Sequence, residues 1–182
     1  MNKIKSSFKQ IIVDFVWVVC NVFINRIPVA FLRKGFYHLV GMKIGQGSRV
    51  GYGTVVIQPW KIRIGSNTVI NEFCYLDGRG GLKIGDRVSI SIYAKILTAS
   101  HRVNSSTFEY YKGPVIIHDQ VWIGMAAVIL DGSTLHESCV IGANGVFKGD
   151  AVAKGIYIGN PASILRQRTV EYVDVSDFSF FK

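Results

Sequence analysis

The chain has 182 residues, 49% of them hydrophobic, with 19 glycines, 4 prolines and a formal net charge of +9. That length and apolar content suit one domain with a real core, and exclude a disordered chain or a small disulfide-stapled scaffold. The three cysteines, Cys20, Cys74 and Cys139, fall at unrelated spacings, so neither a disulfide framework nor a CxxC metal motif is present and a reducing, cytoplasmic compartment is expected.

Residues 1–41 read as a basic, apolar helical head. Lys3, Lys5, Lys9, Arg26, Arg33, Lys34 and Lys43 stand against Asp14 alone, so residues 1–43 hold +6 of the total charge. The run Ile11–Ile24 is apolar apart from Asp14 and Asn21. It falls short of the roughly 20 residues a spanning helix needs, and no small-x-small cleavage pattern comes after it. Two roles stay open for the head. It caps the open end of the domain beyond residue 41, or it lies on an anionic membrane, which would place the protein at the inner face of the plasma membrane. No nucleic-acid motif accompanies the charge, so nucleic acid is not an expected partner.

From Ile44 a large apolar residue returns every six positions, most clearly at Ile117, Ile123, Ile129, Leu135, Ile141 and Phe147. A period of six fits neither a helix nor an alternating strand. It fits a parallel β-helix with three short flat sides, one hexad per side. The first residue and the small fifth residue (Val121, Ala127, Ser133, Cys139, Gly145, Ala151) should fill the prism. Glycine at the second position, as at Gly124 and Gly142, suggests a corner with an unusual backbone conformation. Two-residue slips interrupt the phase after Ile62 and near Arg79–Lys83. A gap of 21 residues separates Ile96 from Ile117, which predicts an excursion loop at about 99–114, rooted at Leu97-Thr-Ala-Ser-His101. The β-helix is expected over 42–161 and a short C-terminal tail over 162–182, whose aromatics Phe178, Phe180 and Phe181 should pack on the prism or on another subunit.

Four histidines are candidates for chemistry. His38 reads as structural. His118 and His136 both take the second hexad position, 18 residues apart, and should stack on the outer surface. No third histidine is placed to complete a metal site with them, so no metal is expected. His101 sits at the root of a long loop on a rigid scaffold, where functional residues concentrate. An imidazole near its ordinary pKa serves as base and then acid at neutral pH.

Three blocks carry a resemblance: Leu76-Asp-Gly-Arg-Gly-Gly-Leu-Lys-Ile-Gly-Asp, Ile96-Leu-Thr-Ala-Ser-His, and Val121-Trp-Ile-Gly through Gly159-Asn-Pro-Ala162. Over about residues 41–166 the chain resembles the hexapeptide-repeat acyltransferases, in particular the O-acetyltransferases of galactosides, maltose and bacterial surface polysaccharides. The resemblance implies an all-β, left-handed parallel β-helix, a homotrimer with sites between neighbouring prisms, and acetyl-CoA as co-substrate. It implies His101 as the catalytic base and Asn71 as the residue holding the acceptor hydroxyl. Asp77 is expected to bind acceptor or orient His101. Relatives carry an acceptor-binding carboxylate where this chain has Arg79, a basic residue suited to an acidic glycan. Trp122 and Met125 correspond to the pantetheine channel, with a backbone N–H near Met125 as oxyanion donor, and Ala143 to a CoA-contacting backbone. Lys148 and Arg166 are candidates for the CoA phosphates. The chain reads Phe147-Lys-Gly-Asp where relatives have Val-Thr-Lys-Asp, so Lys154 is an alternative to Lys148. The expected reaction is direct transfer of acetyl to a sugar hydroxyl. N-acetylation of an amino sugar or nucleotide sugar is the alternative within the family, and a non-catalytic scaffold the alternative outside it.

Overall fold

The computed structural model describes residues 2–169, with side chains from Gln10 onward; the aromatics Phe178, Phe180 and Phe181 lie outside the described residues. Each hexad forms a strand of two or three residues, and strands from successive coils stack in register into three parallel faces. The first face holds Lys43–Ile44, Ile62–Ile64, Leu82–Ile84, Val115–Ile117, Thr134–Leu135 and Asp150–Ala151. The second holds Arg49–Val50, Val69–Ile70, Ser89–Ile90, Trp122–Ile123, Val140–Ile141 and Gly155–Gly159. The third holds Val55–Ile57, Tyr75–Asp77, Lys95–Ile96, Val128–Ile129 and Val146–Phe147.

The first-position residues point inward and form three buried columns. One runs Ile44, Ile64, Ile84, Ile117, Leu135, and the others contain Ile70, Ile90, Ile123, Ile141 and Leu76, Ile96, Ile129, Phe147. Burial of each such side chain contributes roughly 1.5–3 kcal/mol, and a single coil has nothing to bury it against, so stability comes from stacking. Fifth-position residues fill the corners: Val121, Ala127, Ser133 and Cys139 are buried. Burial pushes the thiols of Cys74 and Cys139 up to about 12, as suits packing residues. His118 and His136 are exposed and stacked with ring centroids 5.2 Å apart.

The structure corrects the expected reason for the second-position glycines. The left-handed conformation occurs at the fourth position instead, in Asn67, Phe73, Arg87, Tyr93, Gln120, Ala126, Ser138 and Asn144. Glycine is needed at the second position by close approach of the next coil: a Cβ on Gly124 would lie 2.5 Å from the Ala143 backbone nitrogen. Ala151 is also placed differently. It stacks on Leu135 in the first-face column, because the last coil is two residues short at Lys148-Gly149.

Every departure from the eighteen-residue coil falls on one edge, between the third and first faces. Ile44 to Ile64 and Ile64 to Ile84 are coils of twenty residues. Their extra residues lie at Gln58–Lys61 and at Gly78–Gly81. The long excursion leaves the same edge as an antiparallel hairpin, Ala99–His101 with Tyr110–Lys112.

The head closes the N-terminal end. Helix α1 (Asn2–Val18) passes through a π turn, Val19–Phe23, and a 3-10 turn, Ile24–Arg26, to helix α2 (Ala30–Leu39). Cys20, Ile24, Tyr37 and Met42 complete the core. The first coil has no strand above it, and its edge peptides find partners in the head. Asn21 donates to the Val56 carbonyl and accepts from the Val56 N–H, both at 2.8 Å. Arg33 donates to the Val50 carbonyl at 3.0 Å, and Lys34 to that of Gly45. Each face is thus capped by one side chain. Arg33, one of the basic residues of the head, is buried. No described helix is long and apolar enough to cross a membrane. At the far end Gly155–Gly159 turns back through Asn160-Pro161 into Ala162–Gln167, which extends the second face antiparallel. Residues from 162 to 167 are therefore a strand.

Candidate functional site

The edge between the third and first faces gathers the first group of residues. Asp77 ends a third-face strand and is fully buried, with both oxygens engaged. Oδ1 accepts from the Arg79 N–H and Nε, each at 2.9 Å, while Oδ2 accepts from Arg79 Nη2 and from the Thr98 N–H, each at 3.0 Å. Burial pulls this carboxyl up, but the hydrogen bonds from Arg79 and Thr98 outweigh it and hold it below the usual carboxylate value. Thr98 Oγ1 in turn donates to the Asp77 carbonyl and accepts from the Gly80 N–H. The expectation that Asp77 binds acceptor directly is corrected, since no oxygen is left for a ligand. Asp77 fixes the Arg79 guanidinium and the root of the hairpin. Arg79 stays about a third exposed, its pKa raised chiefly by the bond to Asp77.

Three residues beyond Thr98, His101 lies exposed on the hairpin opposite Tyr110. Its Nδ1 is 2.8 Å from the Phe108 carbonyl oxygen. A carbonyl only accepts, so Nδ1 carries a proton, and in the neutral ring the lone pair is on Nε2. The imidazole stacks on the Phe108 ring with centroids 4.4 Å apart, which sets its plane. Lys148 holds the hairpin to the prism: its Nζ donates to Tyr111 Oη and to Asp131 Oδ2, both at 3.2 Å. Its pKa is raised, first by the bond to Tyr111. Lys148 is therefore committed on the His101 edge, away from the other residues expected to meet CoA. Thr98, Tyr111 and Asp131 carry no signal in the sequence that marks them for this site. The Asp77–Thr98 pairing spans one coil plus the irregular corner, which hides it from an eighteen-residue count.

The second group lies on the edge between the second and third faces. Asn71 follows a second-face strand, with a backbone outside the left-handed region, and donates through Nδ2 to the Ile90 carbonyl at 3.0 Å. Its Oδ1 has no hydrogen-bond donor among the described residues. Trp122 and Met125 are about half exposed, and Trp122 Nε1 donates to Ser91 Oγ at 3.2 Å. Gly124 and Ala126 donate their N–H groups to the carbonyls of Ile141 and Ile92, whereas the Met125 N–H has no acceptor among the described residues. Exposed Ala143 adjoins Met125 in the next coil, where the Asn144 N–H donates to the Met125 carbonyl at 2.8 Å. Trp122, Val140, Ile156 and Arg166 form one row across the second face. Three inter-strand steps of roughly 4.8 Å put exposed Arg166 about 14 Å from Trp122. An apolar shelf with a free amide at one end and a cation at the other fits an extended, phosphate-tailed thioester. Among the described residues, no hydrogen bond or ring contact joins this group to His101, and no group of three metal-ligating side chains occurs.

No family model matches the chain. It is 29% identical over 137 residues, 75% of each chain, to WcaF of Escherichia coli strain K12, named as a colanic acid biosynthesis acetyltransferase. It is 32% identical over 152 residues to a dTDP-4-amino-4,6-dideoxy-D-glucose acyltransferase of Escherichia coli, covering 66% of this chain and 78% of that one. Among solved structures, a hexapeptide-repeat acetyltransferase of Vibrio cholerae O1 biovar eltor, complexed with acetyl coenzyme A, superposes with a TM-score of 0.75. The two are 32% identical, over 81% of this chain and 82% of the other.

Proposed function

Because the chain belongs to the hexapeptide-repeat acetyltransferases, acetyl-CoA-dependent enzymes with a left-handed β-helix, we propose that it acetylates a hydroxyl of a sugar in a surface-polysaccharide precursor. The observation that carries this reading is the Nδ1–H bond to Phe108, which leaves the exposed His101 Nε2 as a free base. His101 takes the proton of the acceptor hydroxyl as that oxygen bonds to the acyl carbon, then returns it to the sulfur as the carbon–sulfur bond breaks. The thioester supplies the electrophilic carbonyl and its leaving group. Asn71 Oδ1 orients the hydroxyl, and the Met125 N–H meets charge gathering on the acyl oxygen. Trp122 and Met125 bed the pantetheine arm along Ala143, and Arg166 meets a phosphate, with Lys154 as the alternative to Lys148. The buried thiols offer no cysteine for an acyl-enzyme. Since His101 and the Met125 shelf occupy different edges of one prism, the reading includes a homotrimer in which one protomer's hairpin edge faces its neighbour's shelf. Arg79 sits on the acceptor side. Acetyl-CoA fits a cytoplasmic location, and the basic head fits one against the inner membrane face.

Amine acylation is the second reading, favoured by the 32% identity to the amino-sugar acyltransferase. The two separate in one assay, release of free CoA thiol with hydroxyl sugars, acidic glycans and amino sugars as acceptors. Turnover confined to amino sugars would overturn O-acetylation. No thermal stabilisation by saturating acetyl-CoA and no turnover with any acceptor would leave only a scaffold.

A further inference from the structure

We infer that the head is a docking surface for an anionic lipid bilayer. On α1 and its π turn the prism uses only a narrow strip: Val16 and Val19 pack on the core and Cys20 is buried. Ile11, Phe15, Val18 and Val22 lie in solvent, with Phe15 67% exposed, and their spacing of four, three and four marks one side of a helix. That stripe runs into an open pit of about 570 Å3 lined by Val22, Phe23, Pro28 and Phe36, with Arg26 also on its wall. Phe36 belongs to α2, whose own stripe continues through Leu32 and Leu39, the latter 81% exposed. Singly exposed apolar residues are ordinary, but a continuous strip over two helices and the pit between them marks an interaction surface.

Charge selects the occupant. With Arg33 buried and Lys34 bonded to the Gly45 carbonyl, Arg26 and Lys43 remain exposed, and the sequence adds Lys3, Lys5 and Lys9, against Asp14, whose carboxylate already accepts from Gln10. Residues 44–182 hold only +3 of the +9, so cations and exposed rings are concentrated on the same segment. Covering the strip with a second copy of itself would press like charges together, and a neutral apolar partner would leave the cations unmatched. An anionic interface meets both demands, since headgroups pair with the cations while the rings enter the acyl boundary. Neither helix is able to span, so the contact is peripheral.

The test is flotation of the full chain with vesicles of 30% phosphatidylglycerol in phosphatidylcholine, against pure phosphatidylcholine, with light-scattering mass in parallel. Wild type should float with the anionic vesicles, at least tenfold less with the neutral ones, and several-fold less at high salt. Phe15→Gln with Leu39→Gln should lower flotation at least tenfold while melting temperature, assembly mass and acetyl-CoA turnover on a soluble acceptor stay unchanged. Arg26→Gln should lower it several-fold. The inference is overturned if wild type fails to float with anionic vesicles. It is equally overturned if the Phe15/Leu39 variant floats like wild type, or if that variant changes assembly mass, which would mean that another copy covers the strip. None of these outcomes depends on the acceptor being a sugar.

Discussion

Replacing Asp77 with Asn tests how the hairpin root is built. All four partners of the carboxylate are donors: the Arg79 N–H, Nε and Nη2, and the Thr98 N–H. Whichever oxygen becomes an NH2 group, it faces a backbone N–H and a guanidinium nitrogen, so one backbone donor is orphaned in a buried site. That orphan costs about 1–3 kcal/mol. The lost charge pairing with Arg79, which is about a third exposed, adds no more than about 1 kcal/mol after solvent screening. A loss of about 1–4 kcal/mol corresponds to roughly 2–16 °C in melting temperature for a chain of this size, and turnover should fall with it because Thr98 anchors the His101 strand. The Asp77 carboxyl is held below its ordinary value. Its contribution is therefore complete above about pH 4, the unfolded value, and fades as pH drops through the folded value. The gap between wild type and Asp77→Asn in thermal melts should be constant from pH 8 to 5 and shrink below 4. A variant melting within 2 °C of wild type at pH 7, with full turnover, would refute the reasoning.

His101→Ala should lower turnover by about 10²–10⁴-fold with melting temperature and acetyl-CoA binding intact; full activity in the thiol-release assay would remove His101 from the chemistry. Lys148→Gln should raise the acceptor KM several-fold and leave acetyl-CoA affinity by calorimetry unchanged, because its contacts are Tyr111 and Asp131; weaker acetyl-CoA binding instead would restore the phosphate role. Gly124→Ala should destabilise by roughly 1–3 kcal/mol or more, read in urea unfolding, because the new Cβ meets the Ala143 and Gly142 backbone; unaltered stability would mean that the coils separate at little cost.

The prism is legible in the sequence because its rule is local. The large inward residues from Ile44 to Phe147 recur every six positions except at the irregular edge, and the three buried columns result. Position within the turn is less legible, since a glycine that avoids contact and a glycine that adopts positive φ look alike in sequence; Gly124 is the former. The head is half legible. Its charge and apolar run are plain, but Arg33 reads as a surface cation until the structure shows an uncapped coil drawing a donor inward to the Val50 carbonyl. At the site, His101 stands out by its place beside a break in the repeat. Asp77 stands out for its chemistry but not for its partner, because its neighbour Thr98 is set by the irregular edge. The separation of His101 from Met125 needs the coil count and the face assignment together.

With all its irregularity confined to one edge, the molecule behaves like a woven tube with a single seam. Stitches added or dropped at the seam, whether two residues or fifteen, leave the weave in phase, since each coil re-enters the first face with its apolar residue aligned. A chain built this way is able to exchange what it displays along that edge without renegotiating its core. The seam is the place where this tube takes up extra length at no cost to its columns.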